Sequence, residues 1–290
     1  MDDPRRRPRT IRNRLKDWNV SKTIVITGAS DGIGLAAARQ LVCEGHQVVM
    51  VGRSPHKTRA VAEELRTEHF TADFACLGDV RAVAAKIAAR HRRIDVLMNN
   101  AGAILGERTV TADGFEESFQ VNYLAHFLLT TLLIDPLLVG GASVIQTASN
   151  AARLSSRVEL DDLNNSRRYS PVRAYGNAKM ELILFTQELH RRYHSRGLSA
   201  AAFHPGGVAS GFARTSRSPV GTLFRSPVPG LFFQSPAKAA RQMLWLATSE
   251  PGRNWASGGY YEKRTLRAVN APSVAAELWD RSTELLSLAP

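Results

Sequence analysis

The sequence predicts an α/β fold, a single domain in which a doubly wound parallel β-sheet is flanked by helices. Three observations carry this expectation. The apolar run Lys22-Thr-Ile-Val-Ile-Thr27 leads at once into Gly28-Ala-Ser-Asp-Gly32-Ile-Gly34 and a helix-forming stretch from Leu35 to Glu44. Further apolar runs at Gln47–Val51, Ile94–Met98, Ala142–Gln146 and Ser199–His204 alternate with helical stretches, and such alternation builds parallel sheets through right-handed crossovers. Finally, Tyr175 and Lys179 stand four residues apart with no proline between them, so one helix presents both on one face.

Taken in order, the first strand and its glycine turn have a chemical reading. Missing side chains let backbone N–H groups and the helix N-terminus approach a pyrophosphate; the alternative is a tight turn without a ligand. The second strand ends in Gly52-Arg53-Ser54, with Lys57 close behind and no carboxylate at the tip. In a Rossmann-type fold that strand end meets the adenosine ribose, where a guanidinium matches a 2′-phosphate. NADP(H) is therefore the preferred cofactor, with NAD(H) left open, and the competing reading of Arg53 is an ordinary solvated charge. Helices are expected at Ala60–Glu68 and Asp79–His91, before a buried strand that runs into Asn99-Asn100-Ala101-Gly102. A long helix over Thr111–Leu138, broken near Pro136, precedes the strand that leads to Ser149.

A phenol titrates near pH ~10 and exchanges protons poorly at neutral pH, but a neighbouring ammonium favours the phenolate. The Tyr175 and Lys179 pair is thus a candidate general acid or base. The ordered set of Gly28, Gly32 and Gly34, Asn99-Asn100-Ala101-Gly102, Asn122, Ser149, Tyr175-x-x-x-Lys179 and His204-Pro205-Gly206-Gly207-Val208 resembles the short-chain dehydrogenase/reductase superfamily from about Lys22 onward. The resemblance implies a proton donor or acceptor at Tyr175, with Lys179 lowering its pKa and contacting the nicotinamide ribose. It implies that Ser149 binds the substrate carbonyl, the alternative being a turn or N-cap serine, and that Asn122 orders a water leading to Lys179. Implied cofactor contacts are Gly28, Ser30, Asp31, Gly32, Ile33, Gly34, Arg53, Asp73, Asn100, Ala101, Gly102, Tyr175, Lys179, Pro205, Gly206, Val208 and Ser210; the last stands where the family commonly has threonine.

An insertion-like stretch from Asn150 to Arg173, with Asp113-Gly-Phe-Glu116, Val121-Asn-Tyr-Leu-Ala-His-Phe-Leu-Leu-Thr130, Ile183-Leu-Phe-Thr-Gln-Glu-Leu189 and Leu278-Trp-Asp280, resembles the retinol-dehydrogenase-like branch. That branch implies a lipophilic or aromatic carbonyl or alcohol as substrate, retinoid-like, steroid-like or polyketide-like. Family members also commonly form dimers or tetramers through the helices around Asn122 and Tyr175. A non-catalytic NADP(H)-sensing or scaffold protein is the rival function, and intact Asn122, Ser149, Tyr175 and Lys179 argue against it.

The segment 211–235 mixes prolines and glycines with Phe212, Phe224, Phe232 and Phe233 and reads as a substrate lid, or alternatively as an oligomer or membrane contact. The net charge of +12 is partly concentrated in residues 1–20, read as a mobile basic extension before the domain at 21–290. Without aromatic interleaving or a binding fold this tail does not mark a nucleic-acid binder. Two cysteines, Cys43 and Cys76, support neither a disulfide framework nor a metal site. With no apolar run of spanning length and no signal-peptide core, the expectation is a cytoplasmic protein.

Overall fold

The computed structural model describes residues 21–154, 158–208, 234–269 and 271–288. The basic extension, Ser210 and residues 211–233 of the expected lid lie outside them. One eight-stranded sheet runs in the order β3-β2-β1-β4-β5-β6-β7-β8. Its strands are β1 (Thr23–Thr27), β2 (Gln47–Gly52), β3 (Glu68–Thr71), β4 (Val96–Asn99), β5 (Ser143–Thr147), β6 (Ser199–His204), β7 (Gly259–Glu262) and β8 (Thr265–Arg267). All pair in parallel except β8, which folds back antiparallel on β7. Ile24 to Thr27 and Val48 to Gly52 are buried along their whole length, as strands covered on both faces require.

The helices are α1 (Gly32–Cys43), α2 (Pro55–Leu65), α3 (Leu77–Arg90), α4 (Glu117–Phe119), α5 (Ala125–Leu132), α6 (Ile134–Gly140), α7 (Pro171–Tyr193), α8 (Pro236–Thr248) and α9 (Pro272–Leu285). Helices α1 and α8 pack on one face of the sheet around Ile26, Met50, Ile145 and Phe203. On the other face α3, α5, α7 and α9 enclose a larger core built on Val25, Leu97 and Val144.

Four expectations are corrected. The helix expected at Ala60–Glu68 starts at Pro55, where Ser54 caps it by accepting from the Lys57 N–H at 3.4 Å, and it stops at Leu65 because Arg66 turns left-handed at φ 53°. Glu68 then opens β3, whose single buried residue, Phe70, gave little apolar signal. The helix expected over Thr111–Leu138 begins only at Glu117, widens into a π-turn at Gln120–Leu124 and bends by 66° between Leu132 and Ile134. Pro136 explains the bend: it has no N–H for the Leu132 carbonyl and its ring would strike it. The strand expected from Ile94 pairs from Val96 onward, and the apolar stretch expected to be lid as far as Ser235 ends at Gln234, whose N–H donates to the Gly207 carbonyl at 2.9 Å. Ser235 already caps α8.

Helix α9 closes the outside of α5 and α7. The Trp279 ring sits 4.9 Å from Phe127 and 5.7 Å from Phe185, with the Arg192 guanidinium 4.7 Å above it, and the Tyr123 hydroxyl meets Ser282 Oγ at 2.8 Å. No single helix among the described residues is long and apolar enough to cross a membrane; the bent pair Glu117–Leu132 and Ile134–Gly140 passes only by length and composition, and most of its apolar side chains are core residues, with Val139 exposed. Trp279→Ala should destabilise the fold by about 3–5 kcal/mol, the usual range for emptying a buried aromatic site; urea unfolding reads this directly, and a loss below ~1 kcal/mol would mean that α9 is not integral to the core.

Candidate active site

At the carboxyl ends of β1 and β4 the backbones come together so closely that side chains are excluded. Gly28 has φ 66°, and a Cβ there would lie 2.9 Å from the Ala101 Cα; one on Gly34 would lie 2.3 Å from the Gly28 carbonyl oxygen. Thr27 Oγ1 donates to the Met98 carbonyl at 3.3 Å and accepts the N–H groups of Asn100 and Ala101 at 2.9 and 3.0 Å. The Asn100 amide donates to the Thr27 carbonyl at 2.9 Å. Asp31 caps α1 by accepting from the Gly32 N–H at 2.7 Å. These contacts leave a cavity of about 580 Å³ along the sheet's carboxyl edge, where such folds bind ligands.

Most of the expected contact residues line this cavity: Gly28, Ser30, Asp31, Gly32, Ile33, Arg53, Asp73, Asn100, Ala101, Gly102, Ser149, Tyr175, Lys179, Pro205, Gly206 and Val208. Gly34 acts behind it as the close-packing residue. Lys57 joins Arg53 at the β2 end; both are exposed, and neither pairs with a carboxylate among the described residues. A side-chain-free turn at a helix N-terminus, with two unpaired cations beside it at the β2 end, fits a phosphate-bearing dinucleotide. When bound, its nicotinamide supplies or takes up hydride.

Ser149, Tyr175 and Lys179 converge at the opposite end. Helix α7 starts where Ser170 accepts from the Arg173 N–H at 3.2 Å, and its second turn carries the pair inward. The Tyr175 hydroxyl hydrogen-bonds Ser149. Ser149 Oγ also accepts from the Ala151 N–H at 3.1 Å, as the turn reading expects, and the residue lines the cavity. Lys179 Nζ donates to the Thr147 carbonyl at 3.0 Å and lies 5.4 Å from the centre of the Tyr175 ring. The expected lowering of the tyrosine pKa is corrected: burial pushes Tyr175 up, with the Ser149 bond opposing, and burial lowers Lys179 to about 7. The ammonium stands over the ring, and desolvation is the largest cause of both shifts.

Asn122 does not line the cavity. Its side chain accepts from the Ala103 N–H and donates to the Ala103 carbonyl, both at 3.0 Å, and also donates to the Ser118 carbonyl at 3.1 Å. It thereby clamps the loop after β4 to the π-turn. The insertion-like stretch braces the same region: Asn164 Oδ1 accepts from the Glu116 N–H at 2.9 Å, the Asn177 amide donates to Asn165 Oδ1 at 2.7 Å, and the Tyr169 hydroxyl donates to the Gly106 carbonyl at 2.9 Å. Thr147 and His126 escaped the sequence reading; for Thr147 its place at the end of a strand was the available signal. The described residues hold no cluster of three potential metal ligands, and Cys43 and Cys76 are exposed thiols.

Comparison with known proteins agrees with this geometry. The family model for short chain dehydrogenase matches residues 22–220. The chain is 40% identical over 272 residues to the "Putative daunorubicin C-13 ketoreductase DnrU" of Streptomyces sp. (strain C5), covering 90% of this chain and 91% of that protein. It is 36% identical over 283 residues to retinol dehydrogenase 13 of Homo sapiens, covering 92% and 85%. A short chain dehydrogenase from Escherichia coli CFT073, crystallised with NADPH, superposes with a TM-score of 0.62 at 26% identity, covering 80% of this chain and 92% of that one. The chain belongs to the short-chain dehydrogenase family. Within it, the chain falls in the retinol-dehydrogenase-like branch.

Burying Lys179 carries a stability penalty with a defined pH window. Its native pKa lies below the unfolded value of 10.5, at about 7, so the unfolded state binds more protons between the two, and stability rises with pH there. The penalty is complete below about pH 7 and amounts to about 5 kcal/mol at most. Lys179→Met should therefore stabilise the fold more at about pH 6 than at about pH 9, read by urea unfolding at both; equal gains would mean the ammonium is not desolvated.

Proposed function

We propose that the protein is an NADP(H)-dependent oxidoreductase that interconverts a ketone or aldehyde and an alcohol on a lipophilic or aromatic substrate. The observation that carries this reading is the Tyr175 hydroxyl hydrogen-bonded to Ser149 on the cavity wall, with Lys179 one turn further along α7. In the reductive direction Ser149 holds the carbonyl oxygen and Tyr175 donates its proton to the developing alkoxide. Burial keeps Tyr175 protonated, which is the state this step requires. The substrate end of the cavity is apolar, lined by Ile104, Val121 and Val172, in keeping with the retinoid and daunorubicin named for its relatives. A dinucleotide sensor on the same fold would have no use for an acid buried beside a serine.

Tyr175→Phe should lower turnover by ~10²–10⁴-fold with an aromatic ketone and NADPH, and leave the NADPH dissociation constant nearly unchanged. A variant that keeps half its activity removes Tyr175 from the chemistry.

The choice of NADP(H) rests on Arg53 and Lys57 at the β2 end. Arg53→Ala should weaken NADPH binding about 10- to 100-fold, as loss of a hydrogen-bonded charge pair does, while NADH binding stays nearly constant. Equal losses in a fluorescence titration of both cofactors would reduce Arg53 to a structural residue.

A further inference from the structure

At the far end of α7 from Tyr175 and Lys179, two imidazoles face one another and take no part in the chemistry proposed above. His190 lies in the last turn of α7, and His194 opens the short 3₁₀ turn His194–Arg196 that leads towards β6. The His194 N–H donates to the His190 carbonyl, and His194 keeps helical angles, φ −62° and ψ −40°, so the α-helical spacing holds across the join. The two ring centres are 4.6 Å apart, with 33° between the planes.

The surroundings decide which nitrogen each ring offers. His194 Nδ1 lies 3.1 Å from the Leu198 carbonyl oxygen, which can only accept, so Nδ1 carries the proton and Nε2 keeps its lone pair. His194 is exposed and His190 partly so. His190 Nδ1 is buried without a partner among the described residues, which makes Nε2 the nitrogen this ring presents to solvent. The ring also packs against Gly258, where a Cβ would lie 3.1 Å from His190 Cγ. Burial and the neighbouring His194 hold the His190 pKa below the usual histidine value, and neutral imidazole is the form that ligates a metal. The arginines of His190-Arg-Arg-Tyr-His194-Ser-Arg196 are engaged elsewhere. Arg191 and Arg192 each donate to Glu188 at 2.6 Å, Arg192 also reaches Asp280 at 3.1 Å, and the Arg196 guanidinium lies 5.7 Å from the centre of the Tyr193 ring.

We propose that His190 and His194 form a two-imidazole site for a divalent transition-metal ion, with water completing the coordination. Two histidines four residues apart on one helix face are a known metal-binding arrangement. Imidazole suits Zn²⁺, Ni²⁺ and Cu²⁺, of which Cu²⁺ binds tightest. Where such a pair serves hydrolysis, a glutamate after the first histidine acts as general base; here that position is Arg191, so the ion is a clamp and not a hydrolytic centre. It ties the end of α7 to the turn that feeds β6. Because β6 runs from Ser199 to His204 and His204 lines the cavity, the clamp sits at the opposite edge of the sheet and does not depend on the reaction proposed above.

Calorimetric titration of the whole protein, free of any histidine tag, with Cu²⁺ should show one tight site. His190→Gln and His194→Gln should each weaken it at least about tenfold, the least that losing even an indirect partner of a metal typically costs. Electron paramagnetic resonance of the Cu²⁺ complex should show two bound nitrogens in the unsubstituted protein and one in either variant. Urea unfolding supplies a second readout, since the folded chain holds the pair at helical spacing and the unfolded chain does not. Zn²⁺ at a hundred times its dissociation constant should raise the folding equilibrium constant by up to ~100-fold, and by far less in His194→Gln. His194 is exposed, so that variant keeps the test available if His190→Gln, whose ring packs on Gly258, does not fold. Absence of a saturable site, or equal Cu²⁺ affinity in the unsubstituted protein and His194→Gln, overturns the proposal.

Discussion

The junction of β1 and β4 is the constraint on which the rest of the site depends. Two parallel strands whose chains leave in opposite directions open a crevice at their carboxyl ends, and here they are held together by Thr27, which serves one carbonyl and two N–H groups at once. That stitch brings Ala101 against Gly28 and the Gly28 carbonyl against Gly34 so tightly that a methyl group at either glycine meets backbone. Backbone cannot step aside as the end of a long side chain can, so these two positions fix the width of the crevice. The α1 N-terminus and the Arg53 loop lie on one side of it, and Ser149, Tyr175 and Lys179 on the other.

Local chemistry was legible in the sequence wherever a residue's role follows from its immediate neighbours. The runs of β1, β2 and β6 bury nearly every residue and were found within a residue or so. The glycine turn and the four-residue spacing of Tyr175 and Lys179 likewise announced themselves. Where a strand buries only one residue, as β3 does, or pairs antiparallel at the sheet edge with every side chain exposed, as β8 does, periodicity has nothing to report. The π-turn around Asn122 is tied to Ala103 in the loop after β4, a contact between distant residues that periodicity does not reach. The ionisation of Tyr175 was read in the wrong sense because spacing shows who the neighbours are but not how much water surrounds them.

Desolvation is the recurring electrostatic theme of α7. Besides Tyr175 and Lys179 this helix buries Glu181, whose carboxyl is pushed well up by burial and by the nearby Glu116. Glu116 in turn spends its oxygens on the N–H groups of Ser118 and Phe119. A helix carrying three desolvated ionisable groups stays in place because apolar contacts on its other positions, Leu182, Leu184, Phe185 and Leu189 among them, lie in the main core. Stability supplied there tolerates strained ionisation a turn away, an exchange common at sites where a group must be ready to give up or receive a proton.

The strand order also bears on how the chain is made. β1 occupies the middle of the sheet, and β4, its partner on the inner edge, begins about 70 residues later. At about 5–20 residues per second that interval is about 4–15 s. During it, β1, β2 and β3 with α1 and α2 form a half-sheet whose open edge is the apolar Thr-Ile-Val-Ile-Thr, a surface that invites pairing with other chains. The edge of β1 thus stays open to other chains until β4 arrives to pair with it.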